Sequence, residues 1–212
     1  MTFQPCRHTV YRVAAPVIAV ALLALVSCSD DVPRLAKLEP GARILAFGDS
    51  LTRGTGANAG EDYPSVLQTL SGREVVNAGV PGEISADGRS RLAALLDRVR
   101  PQLLILCHGG NDMLRKLATA QTAANLRAMI AMARERGIAV VLIGVPRPGI
   151  FLSTAQMYAQ IADTEHVPFD GESLAHILGN AGLKADPVHP NAAGYRVLAE
   201  RAYQLLRDAG AL

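Results

Sequence analysis

Three unbroken apolar runs, residues 44–47, 103–107 and 138–143, constrain this chain more than any other feature. They are too short for ordinary helices and lack the polar alternation of a strand with one wet face, so each reads as a strand covered on both sides. Segments with helical spacing lie between them. Tyr63, Val66, Leu67 and Leu70 line one face of a helix over 61–70, which Ser71-Gly72 ends. Leu92, Leu95, Leu96 and Val99 do the same in a helix that Ser85 or Asp87 caps and Pro101 stops. Leu126, Met129, Ile130 and Ala133 mark a third, opened by Thr119 or Thr122 and closed by Gly137. Val75-Val76 is a short strand running into Asn77-Ala78-Gly79; a helix over 153–165, an edge strand over 167–169 and a closing helix over 191–207 complete the order. Strand and helix alternate throughout, which predicts an α/β doubly wound parallel sheet with right-handed crossovers.

At 212 residues, half of them hydrophobic, the chain suits one well-buried domain. The N-terminus reads as a processing segment: Arg7 and Arg12 precede an uncharged apolar stretch over 13–26, too short for an ordinary membrane span, and Leu25-Val26-Ser27-Cys28 follows. That ending resembles a bacterial lipobox, in which Cys28 becomes the lipidated first residue; simple cleavage nearby and retention as an uncleaved anchor are the alternatives. The expected division is a lipoprotein signal over 1–27, a tether over 28–40 and one domain over 41–212. Removing 1–27 takes away Arg7 and Arg12 and no acid, so the formal charge falls from +2 to zero, which argues against a nucleic-acid or other polyanion binder. Of three cysteines, Cys6 lies in the signal and Cys28 would carry lipid. Cys107 is then without a disulfide partner and reads as an inert buried thiol.

The first apolar run ends at Gly48, and Asp49-Ser50 follows. Ligand crevices of open α/β sheets lie outside the carboxyl ends of the strands, so Ser50 is a candidate nucleophile; the plainer reading is that Asp49 and Ser50 cap the next helix. A serine needs a base, and His189 is available in Asp186-Pro187-Val188-His189-Pro190. There Asp186 can accept from one ring nitrogen while the other faces Ser50; a turn before a helix capped by Asn191 is the alternative. No Gly-x-Ser-x-Gly elbow surrounds Ser50.

Taken together, Gly48-Asp49-Ser50-Leu51, Asn77-Ala78-Gly79, Gly109-Gly110-Asn111-Asp112 and Asp186-Pro187-Val188-His189 resemble, in order, the four blocks of the SGNH (GDSL) hydrolase superfamily, and within it the thioesterase I, lysophospholipase and arylesterase type. The resemblance implies a three-layer, flavodoxin-like, five-stranded sheet of order 2-1-3-4-5. It implies catalysis by Ser50, Asp186 and His189, with the N–H groups of Ser50 and Gly79 and the side chain of Asn111 as oxyanion donors. Asp49 and Asp112 read as loop-stabilising acceptors. A substrate groove is expected between Pro146, Ile150 and Phe151 on one side and Met113 and Leu114 on the other, although the 146–152 loop reads equally well as packing over the sheet edge.

The expected protein is therefore a monomeric serine esterase or thioesterase acting on small-molecule or lipid acyl esters. It needs no cofactor or metal, binds no nucleic acid, and is held in the bacterial periplasm on a membrane through Cys28. Three rivals stand beside it. One is a carbohydrate O-acetyl esterase; another is a nucleotide- or phosphate-binding envelope lipoprotein using the 48–56 loop, which lacks the Gly-Lys-Ser/Thr ending of a P-loop. The third is a catalytically dead binding lipoprotein.

Overall fold

Burial explains why the apolar runs become central strands. In β1 (Arg43–Gly48) every residue after the first is buried, and in β3 (Leu103–Cys107) all are. The computed structural model describes residues 1–2, 32–149 and 151–212, so the expected signal beyond Thr2, Cys28 and Ile150 lie outside it. With β2 (Glu74–Gly79), β4 (Ala139–Ile143) and β5 (Phe169–Asp170), the strands form one parallel sheet of order β2-β1-β3-β4-β5. Gly48 pairs with both Gly79 and Cys107, so three strands end level. The chain passes from β1 outward to β2 and back across to β3. This reversal opens a crevice at the carboxyl ends, immediately beside Asp49-Ser50.

Helices cover both faces. α2 (Tyr63–Ser71) packs on α8 (Ala192–Asp208), which also meets α7 (Ser173–Gly179); α3 (Ser85–Val99) packs on α5 (Thr119–Arg134), which meets α6 (Gln156–Glu165) on the other face. Among the described residues no helix is long and apolar enough to cross a membrane. Two further short helices sit at the crevice: α1 (Ser50–Arg53) and α4 (Gly110–Leu114).

The structure differs from the sequence reading in three places that bear on the site. The helix expected from residue 153 begins at Gln156, because Pro146 and Thr154 pair across an antiparallel bridge and close the intervening residues into a loop. Ser85 opens α3 without capping it, since its hydroxyl is turned to Asp112 at 2.5 Å. Finally, the C-terminal part of the expected tether is docked: Leu38 is buried in the core, and the N–H groups of Leu35 and Leu38 donate to the carbonyls of Ala209 and Ala211 at 2.8 and 2.9 Å.

Candidate active site

The strand-to-helix turn after β1 does two jobs at once. Asp49 caps α1 by accepting the Leu51 N–H at 3.0 Å, and Ser50, the first residue of α1, is left facing the crevice. Its Oγ lies 3.0 Å from His189 Nε2, and His189 Nδ1 lies 2.6 Å from Asp186 Oδ2. Since a carboxylate can only accept, Nδ1 carries the proton and Nε2 presents a lone pair to the Ser50 hydroxyl. The Asp186–His189 segment is held tightly for a loop. Asp186 Oδ1 accepts the N–H groups of Val188 and His189 at 2.8 and 2.9 Å, Lys184 bridges Pro190, and Asn191 caps α8 by accepting from Gly194. Partial burial pulls the Asp186 carboxyl upward, but the His189 ring and the two backbone donors outweigh it and hold the group below the usual carboxylate value. From behind, Tyr195 of α8 donates to the Thr55 carbonyl at 2.8 Å and fixes the loop that follows α1.

The N–H expected as the second oxyanion donor is not free. The Gly79 N–H is already committed to Asn77 Oδ1 at 3.0 Å. Glycine is required at 79 because a Cβ would stand 2.2 Å from the Arg53 nitrogen, inside the protein and away from any substrate. The chain then turns through Val80-Pro81-Gly82-Glu83, closed by the Glu83 N–H on the Val80 carbonyl at 3.2 Å. Pro81 and Gly82 occupy the central positions, and the positive φ of 77° at Gly82 is what a type II turn asks of its third residue. Gly82 lines the crevice, and its N–H has no intramolecular partner among the described residues. Ser50, as the first residue of a helix, likewise keeps a free N–H. Asn111 also reaches the crevice. Its amide donates to Asp49 Oδ2 at 3.2 Å and to the Glu83 carbonyl at 3.0 Å, so it is held in place by the same turn that presents Gly82.

A charged cluster that the sequence reading did not single out anchors this turn. The Glu83 carboxylate accepts from Arg91 Nε and Nη2 at 2.6 and 2.7 Å and from His108 Nε2 at 3.0 Å; His108 Nδ1 accepts the Gly109 N–H at 2.9 Å. Arg91 also donates to the carbonyls of Gly48 and Ala78 and stacks 4.1 Å over the Phe47 ring. Burial raises the Glu83 carboxyl, but bonds from His108 and Arg91 prevail and hold it below its usual value. A folded value below the unfolded one means that Glu83 stabilises the fold above about pH 4 and loses that contribution as pH falls through the lowered value. We expect Glu83→Gln to cost about 2–3 kcal/mol at pH 7, less than a fully buried pair because Arg91 is 28% exposed, with the deficit shrinking below pH 4. Chemical denaturation at pH 7, 5 and 3.5 measures this; a deficit independent of pH would make the role of Glu83 one of packing alone.

Asp49 is 1% exposed, and burial raises its carboxyl above the usual value. Asp112 accepts from the Ser85 N–H, the Ser85 hydroxyl and Thr122, and so ties α4 to α3 and α5. Ser50 and His189 open onto a cavity of about 580 Å³ whose walls include Leu114, Val145, Pro146 and Leu152. That volume is within the range of small-molecule sites. Two residues expected on the groove are not there. Phe151 is 92% exposed at the loop tip, because the Pro146–Thr154 bridge turns the middle of the loop outward, and Met113 packs against the core from the inner side of α4. Among the described residues no group of three or more His, Cys, Asp or Glu side chains could hold a metal ion.

Comparison with known proteins places this geometry. The profile of the GDSL-like lipase/acylhydrolase family matches residues 46–197. The chain is 33% identical over 177 residues to Esterase TesA of Pseudomonas aeruginosa, covering 77% of this chain and 87% of that one. It is 27% identical over 194 residues to thioesterase 1/protease 1/lysophospholipase L1 of Escherichia coli, covering 87% of each. Among solved structures, that of TesA superposes with a TM-score of 0.72 at 31% identity over 79% of this chain and 99% of the other. Esterase AlinE4, an SGNH hydrolase, does so with 0.63 at 31% identity over 82% and 98%.

Proposed function

Because the chain belongs to the GDSL-like lipase/acylhydrolase family, we propose that it is a serine hydrolase of carboxylic esters or thioesters that works through an acyl-enzyme on Ser50. The observation that carries this reading is the unbroken relay from Asp186 Oδ2 through His189 to Ser50 Oγ, at 2.6 and 3.0 Å, at the mouth of a cavity. His189 Nε2 takes the Ser50 proton as Oγ attacks the acyl carbonyl. The negative oxygen so formed meets the N–H groups of Ser50 and Gly82, and the Asn111 amide once one of its two donors exchanges the longer bond, 3.2 Å to Asp49, for the oxyanion. Collapse expels the alcohol or thiol, which leaves with the proton from His189. Water then enters, gives a proton back to His189 and releases the acid, restoring the Ser50 hydroxyl. A lipid on Cys28 would hold this chemistry at a membrane of the cell envelope.

Acyl esters beyond acetyl are favoured over acetylated carbohydrates because the wall beside Ser50 is largely apolar, with Leu114, Val145 and Leu152 contributing. Each methylene buried there gains up to about 0.8 kcal/mol. We expect kcat/KM on p-nitrophenyl esters to rise from acetyl toward medium chains by several-fold at most per methylene. Leu152→Ala should flatten the rise, whereas Phe151→Ala, altering a side chain that stands in solvent, should leave it intact. A profile peaking at acetyl would favour the carbohydrate-esterase reading; a rise abolished by Phe151→Ala would show that the loop folds inward on substrate.

A further inference from the structure

Two cations stand on the wall of the Ser50 cavity, and neither has a carboxylate partner among the described residues. Lys184, half-buried, spends one donor on the Leu178 carbonyl at 3.0 Å; Arg147 spends one on the Ser153 hydroxyl at 3.4 Å. An ammonium has three donors and a guanidinium five, so most of their capacity faces the cavity or water. Both are held by backbone pairing. Lys184 bridges Pro190 beside His189, and the Arg147 N–H donates to the Ser153 carbonyl next to the Pro146–Thr154 bridge. The one carboxylate on the wall among the described residues, Asp49, is buried and already engaged with Leu51 and Asn111. The cavity thus has largely apolar walls that carry two cations without a carboxylate partner among the described residues.

We propose that Lys184 and Arg147 are anion-binding groups on the wall of the Ser50 cavity, so that the preferred substrates are esters that also carry a carboxylate or phosphate. This rests on the ester-hydrolase reading above and narrows its substrate class. The anion gains charge-assisted hydrogen bonds from the half-buried Lys184 and the exposed Arg147, while the apolar part of the substrate lies against Leu114, Val145 and Leu152.

The test compares matched esters on the full chain. In one arm the charge is on the acyl part: the p-nitrophenyl monoester of adipic acid against its neutral methyl ester. In the other it is on the leaving group: butyryl glycerol phosphate against butyryl glycerol. The readout is the ratio of kcat/KM, anionic over neutral, within each variant, which cancels any general loss of turnover. We expect a ratio of about ten in at least one arm, carried by KM and reduced by 0.5 M salt. Lys184→Met and Arg147→Met should each lower it about threefold, and together bring it to one. A preference in one arm only tells which half of the ester meets the cations. A wild-type ratio near one, or a ratio that the double variant retains, overturns the anion-binding role of the two cations while leaving the ester hydrolase standing. No turnover of either ester overturns both.

Discussion

Ser50→Ala should lower kcat on p-nitrophenyl esters by about 10⁴- to 10⁶-fold while the protein stays folded. The loss is that large because nucleophile and base act as one unit: with Oγ gone, Asp186 still orients His189, but the base has no serine hydroxyl to activate. Only the oxyanion donors and the cavity remain to assist direct attack by water. The fold should hardly notice, because Ser50 Oγ has His189 as its hydrogen-bond partner and sits at the crevice. Removing a partly exposed hydroxyl costs on the order of 1 kcal/mol or less. A fluorophosphonate probe should label the wild type and not the variant, with unchanged thermal unfolding. Equal labelling of both proteins would place the nucleophile elsewhere.

Asn111→Ala should come next in size, with kcat down about 10²- to 10³-fold and KM little changed, the signature of a group whose bond strengthens only in the transition state. This substitution also touches the fold. Asn111 joins the buried Asp49 carboxyl to the Glu83 carbonyl, so its removal strips a donor from a carboxyl already raised by burial and loosens the turn that carries Gly82. A stability loss of about 1–2 kcal/mol is expected beside the kinetic one. Steady-state kinetics at a temperature well below unfolding separates the two. A rise in KM at constant kcat would reassign Asn111 to substrate binding.

How much of this was legible in the sequence follows from which interactions are local. The strands were readable because both sheet faces are covered and the apolar runs are therefore unbroken, as in Leu103–Cys107. Asp186 and His189 were readable because three residues of proline-stiffened loop bring a carboxylate under an imidazole, and Ser50 because a strand end delivers it to the crevice. The fate of the Gly79 N–H was legible and overlooked: Asn77 takes it two residues on, the local bond that an Asn side chain commonly makes, and Pro81-Gly82 just beyond is a turn signature that leaves the Gly82 N–H unpartnered among the described residues. Phe151 was misjudged because an aromatic residue in a loop has no period to fix its direction, and the bridge that turns it outward joins Pro146 to Thr154. The Glu83, Arg91 and His108 cluster was beyond reach. Its members lie on a turn, a helix and a strand exit, and only the assembled sheet brings them together.

The pairing of Leu35 and Leu38 with Ala209 and Ala211 makes the domain almost a closed loop. The segment entering β1 and the segment leaving α8 run side by side, with Leu38 seated in the core at the seam. A domain whose two ends touch is a candidate for circular permutation: a short linker would join them, and the chain could be reopened at an exposed turn distant from the crevice. The same seam gives the region around residue 209 a mechanical duty. Force or proteolysis that lifted it would uncover Leu35 and Leu38 together, so the two ends should come apart in one step.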